Sequence, residues 1–160
     1  MKHEHKMPDG KVHYVVGFAM FKLSAPLPHS KESTDVLLMH KTHPPWQFGL
    51  FNGVGGVMEP DETMQEAMSR EFLQEANCLV PADRWRYMLT ISYPHCEIHV
   101  LKVDVNPTER SYIKTVTAES VQWFDVRYLP GKIVFDLTWM IPMMFDTELQ
   151  FPIRLDRKVQ

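Results

Sequence analysis

The sequence predicts a single α/β domain, and three observations support this class. The chain has 160 residues, 44% of them hydrophobic and 23% charged, which is the size and composition of one soluble globular domain with a sizeable core. Several short runs are rich in β-branched and aromatic residues, as strands are. One stretch carries helix signals at both ends. We predict one domain over residues 1–160, with a flexible N-terminus over residues 1–10.

The first part of the chain is predicted to form a β-hairpin. Residues 12–22 are a long β-branched and aromatic run, and residues 36–40 are a short apolar run. The intervening residues 23–34 contain two prolines and several serines, which predicts a loop. Residues 41–51 contain two prolines and a glycine, so we expect no regular structure there.

A glycine loop followed by a capped helix is the most informative stretch. The pair Gly55 and Gly56 permits close approach of the backbone to a ligand. Thr63 and Glu66 have the spacing of a capping box, which places the helix start at Thr63. Asn77 is a residue type that accepts the left-handed conformation at a helix end. The sequence therefore predicts a helix over residues 63–77.

Two carboxylates and an amide share one face of this helix. Glu71, Gln74 and Glu75 are spaced three and four residues apart, so their side chains are neighbours. Burial of carboxylates is costly unless a partner compensates their charge, and Mg²⁺ bound through oxygen is such a partner. A surface helix with ordinary charge pairs is the alternative interpretation. The face continues an apolar stripe formed by Met64, Ala67 and Met68.

The second part of the chain is predicted to add further strands and a helix. Residues 85–92 and 96–105 are predicted to be antiparallel neighbours, because a Tyr-Pro-His break separates two alternating runs. Residues 106–112 are predicted to be a polar loop. The remaining elements are a Trp-Phe strand within residues 115–125, a second helix over residues 135–145 interrupted by Pro142, and a terminal strand within residues 149–160.

Composition limits the function classes. A net charge of −3 gives no electrostatic basis for general DNA or RNA binding. Two cysteines suggest neither a disulfide framework nor a zinc site. The N-terminus has no apolar core of a signal peptide, and no apolar run is long enough to span a membrane. We therefore expect a cytoplasmic protein that binds no membrane.

The spacing of the helix stretch resembles the Nudix box, G-x5-E-x7-R-E-U-x-E-E-x-G-U, where U is a bulky apolar residue. Two positions differ, since Gln74 replaces a Glu and Asn77 replaces a Gly. The resemblance implies a Nudix α/β/α sandwich, with a mixed β-sheet between helices. The residues in register are Gly56, Glu62, Arg70, Glu71, Phe72, Glu75 and Cys78.

The resemblance also implies a metal-dependent active site. Glu71, Glu75, Arg70 and Glu62 would be the catalytic residues, with Arg70 orienting Glu62 or a ligand Glu. The cation would be Mg²⁺, with Mn²⁺ as a substitute. For Glu119, a solvated loop position is the alternative to a ligand role. The implied metal ligands are Gly56, Glu71, Gln74, Glu75 and Glu119.

Residues 51–56 resemble the W-N-G-F-G-G segment of oxidised-purine nucleoside triphosphatases, in which the Asn hydrogen-bonds the base edge. Asn52 would have that role, and an Asn-Gly turn holding its own backbone is the alternative. Phe135 and Asp136 would hold the base, and a core-facing helix start is the alternative. The substrate-binding residues implied in this way are Phe51, Asn52, Gly55, Phe135, Asp136 and Trp139. Many relatives have a lysine directly after the glycine pair, where this chain has Val57, so Lys41 at the neighbouring strand end is the candidate to bind the phosphates.

The expected activity is Mg²⁺-dependent hydrolysis of a nucleoside diphosphate linked to another group X. A (d)NTP is the leading substrate, including an oxidised purine nucleotide. The alternatives are ADP-ribose, NAD(H), a dinucleoside polyphosphate or an RNA cap. Because of Gln74 and Asn77, a catalytically weakened nucleotide-binding or sensor module is a further hypothesis. A small nucleotide is the expected partner of a monomer or homodimer.

Overall fold

A computed structural model describes residues 5–24 and 33–158. It contains one eight-stranded sheet with helices against its faces, as the α/β/α class predicts. The strands are β1 (Val12–Leu23), β2 (Ser33–His40), β3 (Phe51–Asn52), β4 (Val54–Val57), β5 (Arg86–Ser92), β6 (Cys96–Asp104), β7 (Val121–Asp125) and β8 (Ile153–Asp156). The helices are α1 (Met64–Ala76), α2 (Pro107–Tyr112) and α3 (Leu137–Met143).

The sheet is mixed, as predicted. Its main order is β3-β2-β1-β6-β5-β8, while β4 pairs with β1 and β7 pairs with β2. The pairs β1–β6 and β5–β8 are parallel, and the other named pairs are antiparallel. The long strand β1 pairs with β2 through its C-terminal part and with β4 through its N-terminal part. It therefore links the predicted hairpin to the glycine pair.

Alternate residues of β1 enter two separate cores. Val15 and Ala19 pack with α1, whereas Phe18 and Met20 pack with α3, because successive strand residues point to opposite faces of a sheet. Both cores are largely inaccessible to solvent. The sheet thus lies between α1 on one face and α3 on the other.

Three local predictions were wrong. Residues 41–51, which we expected to have no regular structure, contain a 3-10 helix at Pro45–Gln47 and the first residue of β3. Residues 106–112 form the short helix α2 and not a loop, because Asn106 and Glu109 make a capping box and Pro107 occupies the first turn, where proline is tolerated. The predicted glycine loop is instead strand β4, since both glycines pair with β1. Glycine disfavours strands intrinsically, so tertiary pairing decides this element.

Several boundaries were close to their predictions. The second helix is shorter than predicted, with α3 beginning at Leu137, and the terminal strand is present as β8. The predicted flexible terminus and the predicted loop 23–34 fall partly on residues 1–4 and 25–32, outside the described residues. Residues 5–10 include a turn, with Lys6 bridged to Val12. Within residues 5–24 and 33–158, no helix is long and apolar enough to cross a membrane.

Candidate active site

Helix α1 has the caps that its sequence predicts. The hydroxyl of Thr63 accepts a hydrogen bond from the Glu66 amide at 3.2 Å, and the Glu66 carboxylate accepts one from the Thr63 amide at 2.8 Å. At the other end Asn77 is left-handed, with φ 60° and ψ 28°, and its amide donates to the Leu73 carbonyl. Backbone groups at both ends of the helix thus have hydrogen-bond partners. These bonds define where the helix, and with it the acidic face, begins and ends.

The two carboxylates of α1 meet the glycine pair of β4. Glu71 is 0% exposed, and a Cβ at Gly56 would lie only 2.6–2.7 Å from its carboxylate group. The Gly55 amide donates to Oε2 of Glu75 at 3.3 Å. A side chain at Gly56 would therefore displace Glu71, so the missing side chain makes room for the carboxylate.

Arg70 binds two of the predicted catalytic acids. Its Nε and Nη2 donate to the two oxygens of Glu62 at 2.5 and 2.8 Å, and its Nη1 donates to Oε1 of Glu71 at 2.5 Å. Nη2 also donates to the Val57 carbonyl. The hydrogen bonds to Glu62 raise the pKa of Arg70 above its ordinary value, against the opposing effect of burial. Arg70 therefore fixes the orientation of Glu62 and Glu71.

The donors at this site fit a hard divalent cation. The candidate ligands are the carboxylate oxygens of Glu71 and Glu75, the amide oxygen of Gln74 and the carbonyl of Gly56, and Mg²⁺ and Mn²⁺ bind such oxygen ligands. No group of three or more His, Cys, Asp or Glu side chains is positioned to hold a metal in the described part of the chain. Gln74, where the family pattern has a glutamate, is exposed.

Glu119 is held by donors from another segment. Its carboxylate accepts hydrogen bonds from the Lys41 ammonium at 2.6 Å, from the backbone amides of Thr42 and His43, and from the Thr42 hydroxyl. Burial alone would raise the pKa of Glu119, but the hydrogen bonds from Lys41 and Thr42 outweigh it and hold the pKa below 4.5. Glu119 thus neutralises Lys41, the predicted phosphate-binding lysine, and anchors the loop after β2.

The side chain of Asn52 makes hydrogen bonds to residues close to it in the chain. Its Oδ1 accepts from the Gly53 amide at 2.8 Å, and its Nδ2 donates to Gln47 at 3.0 Å. Asn52 thus binds the backbone next to it, as the alternative interpretation has it, but it lies in strand β3 and not in a turn. The adjacent Phe51 makes edge-to-face contacts with His40 and Phe124, so its ring is part of the sheet packing.

The two residues predicted to hold the base at the start of α3 differ in exposure and in their contacts. Phe135 is 77% exposed. The carboxylate of Asp136 accepts two hydrogen bonds from Arg157, at 2.8 and 3.0 Å, and one from the indole nitrogen of Trp139 at 3.2 Å. Asp136 therefore ties the C-terminal segment to α3, whereas Phe135 presents an exposed ring.

A family model for the NUDIX domain matches residues 20–140. The chain belongs to the Nudix hydrolase family. Helix α1 is accordingly its Nudix helix, and the overall fold is that of the family. The glycine pair, Arg70, Glu71 and Glu75 lie within the matched region.

Similar proteins agree with this assignment at the level of fold. The chain is 26% identical over 106 residues to the "NAD-capped RNA hydrolase NudC" of Chromobacterium violaceum, a match that spans 63% of this chain and 37% of that relative's length. A NUDIX hydrolase from Nitrosomonas europaea has a TM-score of 0.67 at 18% identity, covering 94% of this chain and 80% of that one.

Two further structures broaden the comparison. The MutT protein from Bacillus halodurans has a TM-score of 0.65 at 15% identity, covering 93% of this chain and 90% of that one. A bifunctional NMN adenylyltransferase/ADP ribose pyrophosphatase from Francisella tularensis has a TM-score of 0.59 at 18% identity, covering 85% of this chain and 41% of that one. Identities this low show the common fold and not a common substrate.

Two residues that bind predicted substrate-binding residues were not themselves predicted. Gln47 lies in a 3-10 turn and binds Asn52, and Arg157 lies beyond β8 and binds Asp136. No local motif marks either one, because each acts through a partner brought close by folding. Gln47 stands between two aromatic residues, which is the only sequence signal in its vicinity.

Proposed function

We propose that this Nudix hydrolase cleaves a pyrophosphate bond in a nucleoside diphosphate linked to another group X, with a divalent cation. The observation that carries the proposal is the meeting of Glu71 and Glu75 with the backbone of Gly55 and Gly56. Family membership supports the reaction class. Carboxylate and backbone carbonyl oxygens are the ligands that hard divalent cations prefer.

In this proposal Glu71, Glu75, the amide oxygen of Gln74 and the Gly56 carbonyl would hold Mg²⁺, with Mn²⁺ as a substitute. The cation would supply positive charge that balances the phosphates and would lower the pKa of a bound water. Arg70 keeps Glu71 in place through its contacts with both Glu62 and Glu71. A carboxylate of this group accepts the proton of the attacking water. Glu119 is omitted because lysine and amide donors already surround its carboxylate.

The first substrate candidate is a (d)NTP, including an oxidised purine nucleotide. The likeness of residues 51–56 to the oxidised-purine enzymes supports it. To hydrogen-bond a base, Asn52 would have to give up its bond to Gln47. Asp136 would likewise have to give up its bonds to Arg157.

The second candidate is a pyrophosphate with a second group attached, such as NAD(H), ADP-ribose, a dinucleoside polyphosphate or an RNA cap. The similarity to a protein named as an NAD-capped RNA hydrolase supports this class. The exposed aromatic side chains of Trp46 and Phe48, in the loop before β3, and of Phe135, just before α3, support this class further. Nucleobases stack on such rings. The replacement of a glutamate by Gln74 supports a third candidate, a nucleotide-binding module whose catalytic activity is weakened.

A nucleotide panel tests these candidates. Release of phosphate, pyrophosphate and mononucleotide is measured with Mg²⁺ and then Mn²⁺ on ordinary and oxidised dNTPs, ADP-ribose, NADH and diadenosine polyphosphates. Glu75→Gln serves as the inactive variant, and Glu148→Gln, at an exposed site, is the matched control. We expect turnover of one class by the wild type and the control, with a loss of about 1,000-fold in Glu75→Gln.

Other results would redirect the proposal. Turnover that survives in Glu75→Gln would rule out the Nudix helix as the catalytic element. No turnover of any substrate, with nucleotide affinity intact by calorimetry, would support the binding module and contradict the hydrolase proposal.

A further inference from the structure

The last strand of the chain, β8, forms an open edge of the sheet. Within residues 5–24 and 33–158 it pairs with β5 and with no other strand. The opposite end of the sheet differs, because Phe51 of β3 exchanges backbone hydrogen bonds with Lys132 and Val134. An open sheet edge is a place where a further strand can pair.

The outer edge of β8 is formed by the backbone of Arg154 and Asp156. The Arg157 amide donates to the Ser92 carbonyl of β5 at 2.8 Å. Successive residues of a strand direct their backbone N–H and C=O groups to opposite edges, so Leu155 and Arg157 direct theirs toward β5. Arg154 and Asp156 therefore direct theirs away from the sheet, and the side chains of both are exposed.

The two exposed side chains on this edge carry opposite charges. Arg154 and Asp156 are two residues apart, so they lie on the same face of the sheet. Nη1 and Nη2 of Arg154 donate to the Glu97 carboxylate at 3.2 and 2.8 Å, and its Nε is 3.3 Å from Asp156. Charges on an edge strand usually discourage pairing. A strand with one positive and one negative position is nevertheless complementary to an antiparallel copy of itself.

The charges select one arrangement of two β8 strands about a two-fold axis. With the axis at Leu155, Arg154 of each copy lies opposite Asp156 of the other, and each such pair exchanges two backbone hydrogen bonds. An axis at Arg154 would oppose two arginines, and an axis at Asp156 would oppose two aspartates. Like charges directly opposite each other destabilise a strand pair, so the axis at Leu155 is favoured.

A proline limits the length of this pairing. Pro152 directly precedes β8, and proline has no N–H to donate to a neighbouring strand. With the axis at Leu155, Pro152 of one copy lies opposite Lys158 of the other. Pairing therefore ends after residues 153–157 on both chains, so the charges set the centre of the pairing and the prolines set its ends.

We propose that β8 is an interaction surface for a second copy of this chain, and that the two β8 strands pair antiparallel about a two-fold axis at Leu155. The sheets of the two copies then form one continuous sheet. Such a contact is isologous, because both chains contribute the same surface. The pairing uses none of the proposed catalytic residues, so it does not depend on the proposed hydrolase function.

Sedimentation velocity of the whole chain tests the association. A pairing this short belongs to the small, weak class of interfaces, so the dimer should appear between about 1 and 500 µM protein. Asp156→Lys turns both unlike pairs into like pairs and should raise the dissociation constant at least about tenfold. Asp83→Lys makes the same charge change at an exposed residue outside the sheet and should leave the dissociation constant unchanged.

A comparison of Asp156→Pro with Asp156→Ala tests the backbone hydrogen bonds. Both variants lack the carboxylate, but only the proline also lacks the outward-facing N–H. Proline is tolerated on the free edge of a sheet, so circular dichroism should show that both variants are folded. Each copy loses one hydrogen bond, and Asp156→Pro should therefore associate about 10- to 30-fold more weakly than Asp156→Ala.

Cross-linking locates the two-fold axis. Leu155→Cys would place two thiols opposite each other in a non-hydrogen-bonded pair, whose Cα atoms lie about 4.5 Å apart, within the range of a disulfide. Oxidised glutathione should therefore convert this variant to a covalent dimer. In the control Ile153→Cys the two thiols lie about 13 Å apart along the strands and should not cross-link. The native Cys78 and Cys96 are buried.

Three results would overturn the proposal. A wild type that is monomeric at every concentration would exclude the second copy and leave the edge to solvent or to a strand of another protein. A dimer that is unchanged by Asp156→Lys and Asp156→Pro would use a different surface. If these variants do not fold, cross-linking decides: a covalent dimer in Leu155→Cys alone supports the pairing, and equal cross-linking in Ile153→Cys refutes it.

Discussion

Glu71 and Glu119 are both buried glutamates that the family resemblance implies as metal ligands, yet their surroundings differ. Glu71 lies against a glycine backbone and accepts a hydrogen bond from the Arg70 guanidinium. Glu119 accepts hydrogen bonds from a lysine ammonium, two backbone amides and a hydroxyl. The two glutamates therefore join different parts of the fold: Glu71 joins helix α1 to strand β4, and Glu119 joins the segment before β7 to the loop after β2.

The backbone segments next to the two glutamates, strand β4 and the loop after β2, are also held in place differently. The glycine pair of β4 is held by regular strand pairing with β1, so the position of the carboxylates depends on the absence of side chains. The loop between β2 and β3 is closed by backbone hydrogen bonds such as that from the Lys41 amide to the Leu50 carbonyl, and the Glu119 carboxylate adds bonds to the Thr42 and His43 amides. Substitutions of the glycines and of Glu119 should therefore act through different mechanisms, which the following experiments separate.

The largest expected effect is that of Gly55→Ala. A Cβ at this position would overlap the carbonyl oxygen of Val15 in the paired strand, and backbone atoms of a central strand cannot yield cheaply. We expect no folded protein, measured by circular dichroism and thermal unfolding. Gly131→Ala is the control, because nothing lies within 4 Å of its added Cβ. A cooperative melt of Gly55→Ala near that of wild type would contradict the described pairing.

The next effect is expected for Gly56→Ala. Here the added Cβ meets the carboxylate end of Glu71 at 2.6–2.7 Å, and a side-chain end can move where backbone cannot. We expect a folded protein whose kcat/KM falls about 100-fold, because a displaced catalytic group costs about that much. Activity close to wild type would show that the position of Glu71 does not matter for the reaction.

A moderate effect on stability is expected for Glu119→Gln. The variant leaves the buried Lys41 ammonium beside an uncharged amide, which should lower the free energy of unfolding by about 2–3 kcal/mol. Urea unfolding measures this change. Glu148→Gln, at an exposed site, should leave this free energy unchanged.

The pH dependence of that stability has a defined sign. In the folded protein the pKa of Glu119 lies below its ordinary value of 4.5, so the unfolded chain binds the proton more readily. The stability that Glu119 contributes is therefore present above about pH 4.5 and is lost as the pH falls through its lowered pKa. The difference in unfolding free energy between wild type and Glu119→Gln should shrink below about pH 4.5. A constant difference would contradict the charged Lys41–Glu119 pair.

The smallest effect is expected for Gln74→Glu. A carboxylate at this exposed position adds one anion to the Glu71–Glu75 face, but solvent screens exposed charges. We expect the Mg²⁺ concentration for half-maximal activity to fall about threefold, as measured by metal titration. Gln65→Glu makes the same charge change on the opposite side of α1 and should leave the titration unchanged. Equal shifts in both variants would indicate a general charge effect.

Local patterns predicted the Nudix helix well. The capping box at Thr63, the left-handed Asn77 and the acidic face depend on neighbours within a few residues, so the sequence contains the whole interaction. The hairpin and the β5–β6 pair were also predicted from strand periodicity and a local break. The short strand β4 was missed because its pairing partner is in a distant strand.

The sequence by itself determined the family, the Nudix helix and the set of acids available for catalysis, because fixed spacings along one helix place these groups on one face. Only the tertiary structure decided what each acid contacts. Glu119 meets Lys41 across 78 positions of the chain, and Asp136 meets Arg157 across 21 positions. Hydrogen-bond donors that arrive from such distances determine whether a carboxylate faces a ligand or holds the fold together.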